Sequence, residues 1–120
     1  MAVVRPFKGI RPTKELVDKV AALPYDVMNT EEAREMVKGN PYSFLHVDKA
    51  QIDLPVETNQ YDEIVYNTAR KTLDKMREDG TYIQDNAPSM YIYRQIMDGR
   101  VQTGIVGCTS IDDYMNDIIK

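Results

Sequence analysis

The sequence predicts an α+β fold in which about four helices pack on a central, mainly antiparallel sheet. The stretch 89–109 has the pattern of two strands joined at Asp98-Gly99, the dipeptide that a type I′ hairpin turn favours. Other stretches place apolar residues at helical spacing. A length of 120 residues with 42% hydrophobic and 28% charged residues is typical of one globular domain.

The turn fixes which hairpin residues face each other. One face then carries the pairs Ile92/Ile105, Arg94/Thr103 and Ile96/Val101. Because this face is rich in aliphatic side chains, we expect it to be the buried one. Cys108 lies at the end of the second strand, and we expect it to be a buried thiol.

The first half of the chain alternates short elements. Residues 2–8 predict a strand interrupted by Pro6, and Thr13 is predicted to cap a helix that ends before Pro24. Asn29 and Glu32 have the spacing of a capping box, which predicts a second helix.

Residues 42–47 predict a further strand, with alternate side chains on opposite faces. A loop over 49–60 precedes the longest predicted helix, 61–79, which Gly80 ends.

After the hairpin, Ser110 is predicted to cap a last helix with Tyr114, Met115 and Ile118 on its inner side. That helix meets no Gly or Pro before Lys120. We therefore expect residues 1–120 to be a single domain or subdomain from the N-terminal part of a longer protein.

The composition argues against three kinds of binding partner: nucleic acid, a membrane and a metal ion. Nineteen acidic and fifteen basic residues give a net charge of −4, which argues against nucleic-acid binding. No apolar run has the length of a signal peptide or membrane span, so we expect a cytoplasmic protein without a membrane partner. One Cys and one His provide no zinc-site spacing, and no metal site is predicted.

His46 and the loop dipeptide Tyr25-Asp26 are candidate ligand-binding residues. His46 is the side chain best suited to acid–base chemistry near neutral pH, although a hydrogen-bonded packing role is the alternative. The phenol and carboxylate of Tyr25 and Asp26 suit a polar ligand, whereas Asp26 would alternatively bind backbone donors of the next helix.

Three arginines are candidates for anion binding. Arg94 lies on the face expected to be buried, where its guanidinium needs a carboxylate or a ligand. Arg5 and Arg11, each followed by proline, would line the same surface or simply be solvated. The sequence has no glycine-rich phosphate loop and no Gly-x-Ser-x-Gly motif.

Several stretches together resemble the bacterial "domain of unknown function 1015" family. They are Arg5-Pro6-Phe7, Arg11-Pro12, Pro24-Tyr25-Asp26-Val27, the stretch from Asn40 to Val47, Ile52-Asp53-Leu54-Pro55, Gln84-Asp85 and Tyr91-Ile92-Tyr93-Arg94-Gln95. Leu23 departs from the pattern, which usually has a second proline there.

The resemblance implies a longer protein with a later Asp-Gly-His-His-Arg motif, which is similar to the nucleotide-binding signature of ParB-like, sulfiredoxin-like and free-serine-kinase proteins. That motif is absent from this sequence, and the family has no settled activity. The resemblance therefore carries no catalytic residue over to this chain.

Two functions remain open at this point. The chain would form one wall of a nucleotide- or phosphate-binding cleft in the full-length protein, with no activity alone and a small phosphorylated ligand or nucleotide as partner. Alternatively, it is a non-catalytic scaffold or interaction module that docks on the remainder of the full-length chain or forms a homodimer.

Overall fold

A computed structural model describes residues 1–119. The helices are α1 Val17–Val20, α2 Thr30–Met36, α3 Leu45–Asp48, α4 Glu63–Glu78 and α5 Ile111–Met115. The strands are β1 Val4–Arg5, β2 Ile10–Pro12, β3 Tyr82–Gln84, β4 Tyr91–Met97, β5 Arg100–Val106 and β6 Cys108–Thr109. These elements confirm the α+β class.

The strands of the described chain form three two-stranded pairs, β1 with β6, β2 with β3 and β4 with β5. The sheets are therefore small, and the prediction of one central sheet beneath the helices is wrong. None of the helices in residues 1–119 combines the length and the apolar character that a membrane span requires.

The chain divides into two compact units. The first, which we call the core unit, is Arg11–Ile83, and the second, the ribbon unit, is Met1–Ile10 with Gln84–Lys120.

The core unit contains two clusters of buried side chains. The first joins Met28, Ala33, Leu45 and Ile52, with Val37 packed against it. The second joins Val20, Met76 and Tyr82, with Leu16, Tyr42, Val47 and Leu73 around it. The helices α1, α2, α3 and α4 each contribute side chains to these clusters, together with residues between the helices and Tyr82 of β3.

Two predicted helices of the core unit are confirmed. Asn29 Oδ1 accepts from Glu32 N, and Glu32 Oε2 accepts from Asn29 N, so the predicted capping box opens α2. The longest helix spans 63–78 against the predicted 61–79, and Gly80 follows it at φ +83°, the left-handed position that glycine favours. The helix α1 begins later than predicted, because Leu16 rather than Thr13 is its N-cap residue.

The predicted strand over residues 42–47 is wrong, because this stretch turns into α3. Leu45 is 1% exposed and lies in the first cluster, whereas Phe44 is exposed. Ser43 Oγ accepts from Leu45 N at 3.3 Å at the start of the turn. A short apolar run fits a strand or a buried helix equally well, and packing against the core selects the helix here.

The ribbon unit contains the predicted hairpin in the predicted register. Tyr91 pairs with Val106, Arg94 with Thr103 and Met97 with Arg100. Asp98 and Gly99 have φ values of +50° and +75°, as a type I′ turn requires.

The expected burial of the hairpin is wrong, since both of its faces are exposed apart from the partly buried Tyr91. Cys108 is exposed as well, so the predicted buried thiol is also wrong.

The last helix begins as predicted but ends earlier. Ser110 Oγ accepts from Asp113 N, which confirms the N-cap. The helix ends at Met115, because Asp117 adopts φ +57° and Ile118 N donates to Asp113 O. This is a Schellman ending with aspartate at the left-handed position, a residue that tolerates this conformation better than most.

Candidate functional site

One face of the β4–β5 hairpin is apolar and open to solvent. Its side chains are Ile92, Arg94, Ile96, Val101, Thr103 and Ile105, which we call the ribbon face. The four aliphatic members are 58–79% exposed. Folded domains rarely leave such a continuous aliphatic row uncovered, so this face is a candidate binding surface.

Arg94 lies at the centre of the ribbon face, opposite Thr103 and between the Ile92/Ile105 and Ile96/Val101 pairs. The sequence predicted a buried guanidinium, and that prediction is wrong because Arg94 is exposed on a strand whose side chains, apart from Tyr91, are all exposed. Among residues 1–119, Arg94 makes no ion pair or hydrogen bond through its side chain. Its charge is therefore available to a partner.

Tyr91 anchors the base of the hairpin to the first residues of the chain. Its hydroxyl accepts from Gly9 N at 2.6 Å and donates to Asp85 Oδ2, and its ring lies 5.0 Å from the Phe7 ring. A Cβ atom on Gly9 would lie 2.5 Å from the Tyr91 hydroxyl, so any other residue there would displace the end of the Tyr91 side chain. These contacts fix one end of the ribbon and leave the turn end free of them.

The helix α5 presents a second exposed apolar surface in the ribbon unit. Ile111, Tyr114 and Met115 share one side at i, i+3, i+4 spacing and are 64–78% exposed; we call them the helix patch. The prediction that Tyr114, Met115 and Ile118 face inward is wrong, since all three are exposed.

Two aspartates of α5 differ in their contacts. Asp113 Oδ2 accepts from Val3 N at 2.8 Å, which ties the helix to the first strand region. Asp112 is exposed and borders the helix patch one turn before Met115.

His46 lies in the core unit with both ring nitrogens facing acceptors. Nδ1 is 2.7 Å from Asp53 Oδ2, Nε2 is 3.0 Å from the Asn40 carbonyl oxygen, and the side chain is 14% exposed. The doubly protonated ring can donate to both acceptors at once. This arrangement fits the packing interpretation of His46, because neither nitrogen points into open space.

His46 and Asp53 line a cavity of about 330 Å³ together with Thr72, Lys75 and Asp79. Hydrogen bonds from the Thr81 hydroxyl at 2.7 Å and the Thr81 N–H at 3.0 Å hold the pKa of Asp79 below its ordinary 3.8. The wall therefore has at least as many carboxylates as basic groups, so it has no excess positive charge that would select an anion.

Tyr25 and Asp26 occupy a short 3-10 turn, Tyr25–Val27, and are exposed. The backbone of this turn is held by Lys49, whose Nζ donates to the carbonyl oxygens of Tyr25 and Met28 at 3.0 Å each. Lys49 is only 8% exposed. Sequence reasoning missed it, because neither spacing nor composition distinguishes a buried lysine from a solvated one.

Arg34 is a second residue that sequence reasoning missed. Its guanidinium donates to the carbonyl oxygens of Gln51, Ile52 and Leu54 and pairs with Glu31 at 2.8 Å. It therefore fastens α2 to the 50–54 segment, and it has the role of a structural cation.

The remaining candidate arginines lie in different units. Arg5 is in β1 of the ribbon unit, where it lies opposite Cys108 in the antiparallel pairing of β1 with β6. It lines a cavity of about 290 Å³ with Thr109 and Ser110. Arg11 is in β2 and interacts with other residues of the chain, so it is not a free cation. The candidates thus fall into two groups, Arg5 and Arg94 in one unit and Tyr25, Asp26, Arg11 and His46 in the other.

The family described as "Protein of unknown function (DUF1015)" matches residues 4–120 of this sequence. The chain belongs to the DUF1015 family. No curated protein and no solved structure gives a significant match.

This DUF1015 chain offers little pre-assembled chemistry within residues 1–119. No group of three or more His, Cys, Asp and Glu side chains there could hold a metal ion. Its one His–carboxylate pair also contacts a backbone carbonyl, as described above. The features available to a partner include the ribbon face, the helix patch and the Arg5 cavity.

Proposed function

We propose that this chain is a non-catalytic interaction module that binds another protein surface through its ribbon face. The observation that carries the proposal is the exposure of Ile92 and Ile105, at 78% and 79%, on a seven-residue strand pair. A hairpin with no second layer is marginal in water, so a partner that covers this face would stabilise it.

Arg94 strengthens the proposal. Arginine is enriched at protein interfaces, and a guanidinium surrounded by aliphatic side chains is typical of the residues that dominate binding energy. The proposed partner therefore presents an apolar surface with a carboxylate. That surface belongs to the remainder of a longer family chain, to a second copy or to another protein in the cytoplasm, and neither nucleic acid nor a membrane is part of the proposal.

Site-directed photo-crosslinking tests the proposal. A benzoylphenylalanine replaces Ile96 on the ribbon face, or Lys71 on the exposed side of α4 as the matched control, in protein expressed in its own cells. We expect a protein adduct from position 96 and none from position 71. Equal yields from the two positions, or no adduct from 96, would overturn the proposal.

A phosphate- or nucleotide-binding wall is the second candidate function. Its support is the Arg5 cavity, which Arg5 lines together with the hydroxyl residues Thr109 and Ser110. Within residues 1–119, Arg5 and Arg94 make no ion pair, so both remain able to bind an anion. Tyr25, Asp26, Arg11 and His46 lie in the core unit and do not line this cavity.

Thermal unfolding with inorganic phosphate and a nucleotide panel tests this candidate. Binding to the folded chain raises Tm, and Arg5→Ala or Arg94→Ala should remove the rise. A Tm that stays constant across the panel, in the chain and in the full-length protein, would exclude it.

A further inference from the structure

We infer that the partner of the ribbon face is a second copy of this chain, whose helix patch packs on it. The inference rests on the interaction module proposed above and adds the identity of the partner. The ribbon face of each copy would bind the helix patch of the other, so the same contact would form twice about a two-fold axis and close the dimer.

The two surfaces match in their apolar character. Both are uncovered in the same unit, and α5 makes no extensive packing contact with either ribbon strand among the described residues. An amphipathic helix laid on a flat apolar surface buries side chains at i, i+3 and i+4, the spacing of Ile111, Tyr114 and Met115.

The available area suits a stable dimer. Burying one aliphatic side chain removes roughly 60–120 Å² of surface from water. The four aliphatic residues of the ribbon face and the three residues of the helix patch would therefore remove roughly 400–850 Å² from each copy, against about 800 Å² per partner in a standard interface.

The charges decide which surfaces meet. Arg94 is at the central pair of the seven ribbon pairs, so two ribbon faces stacked in full overlap would bring the two Arg94 side chains together. A helix patch instead brings Asp112, which makes no ion pair within residues 1–119. Ribbon against helix therefore pairs Arg94 of one copy with Asp112 of the other, and ribbon against ribbon does not.

Charge reversal tests this arrangement by sedimentation velocity across micromolar to millimolar concentration. We expect the wild-type chain to dimerise, and Arg94→Asp or Asp112→Arg alone to weaken dimerisation by about tenfold or more, because each places like charges together twice. Mixing the two variants in equal amounts should restore a dimer, because both contacts of the mixed dimer pair opposite charges. Arg100→Asp makes the same charge change on the opposite ribbon face and should leave dimerisation unchanged.

The outcomes separate this inference from the proposed function. A wild-type chain that stays monomeric, or a dimer that neither Arg94→Asp nor Asp112→Arg weakens, overturns the second-copy inference. Cross-links from position 96 to a different protein would then still support the interaction module. Absence of any adduct at position 96 overturns the interaction module itself.

Discussion

The core unit and the ribbon unit differ in how far they bury their apolar side chains and in how regularly their backbones pair. The hydrophobic side chains that are buried, from Val20 to Tyr82, lie in the core unit. The ribbon unit has the more regular backbone, with seven consecutive cross-strand pairs, yet its aliphatic side chains remain in water. Backbone pairing and side-chain burial are therefore separable within one chain.

This difference shows what each process needs. A hairpin satisfies its own N–H and C=O groups once a turn sets the register, and those interactions are local. Burial needs a second apolar layer, which α2, α3 and α4 provide for one another in the core unit. The ribbon unit has apolar surfaces on both β4–β5 and α5 without extensive packing between them, so both surfaces remain available to a partner.

The largest contrast should come from truncating one aliphatic side chain in each unit. Leu45→Ala removes a side chain that is 1% exposed and should lower the free energy of unfolding by about 2–5 kcal/mol. Ile92→Ala, at a concentration where the chain is monomeric, should change it by about 0.5 kcal/mol or less. Urea denaturation measures both, and equal losses would mean that the ribbon face is covered within the monomer.

The next effect tests the buried lysine. Lys49→Met keeps most of the side-chain volume but leaves the Tyr25 and Met28 carbonyl oxygens without their donor, which should cost about 1–3 kcal/mol of unfolding free energy. Lys71→Met on the exposed side of α4 is the control and should be close to neutral. A neutral Lys49→Met would show that water replaces the ammonium group.

A smaller effect is expected at the base of the ribbon. Tyr91→Phe removes the hydroxyl that joins Gly9 and Asp85, and it should cost about 1 kcal/mol and speed hydrogen exchange at the Gly9 amide. Tyr93→Phe removes an exposed hydroxyl from the same ribbon surface and should leave that exchange unchanged. Unaltered exchange at Gly9 in Tyr91→Phe would contradict the anchor.

The smallest effect concerns acid stability of the core unit. The pKa of Asp79 is lowered from 3.8 by its hydrogen bonds to Thr81, so its stabilising contribution is present above pH 3.8 and is lost as pH falls through the lowered value. Asp79→Asn should therefore reduce the acid-induced drop in Tm below about pH 4. An identical acid limb in the variant and the wild type would show that the Asp79–Thr81 contact contributes nothing measurable.

Local patterns explain which parts of the fold were predictable. Asp98-Gly99 was sufficient to set every pair of the hairpin, and Asn29 with Glu32 was sufficient to start α2. The prediction failed at residues 42–47, where the burial of Leu45 selects a helix, and at the end of α5, where Asp117 takes the conformation expected of glycine. Packing against residues distant in sequence decides the conformation at 42–47, and a weak conformational preference of one aspartate decides where α5 ends.

The candidate residues show the same division. The residue types alone identified Arg94 and His46 as candidates. Arg94 was expected to be buried but is exposed, and the contacts of His46 fit its alternative role as a packing residue. The contacts of Asp53 and Asn40 with His46, and of Tyr25 and Met28 with Lys49, depend on how α3 packs, which no spacing in the sequence encodes.

The sequence by itself determined the α+β class, the hairpin register and the capping box, because each follows from residues a few positions apart in a local hydrogen-bond pattern. Only the tertiary structure decided which apolar faces are covered, because coverage depends on whether another element of the chain reaches them. The ribbon face and its central Arg94 are therefore exposed to solvent.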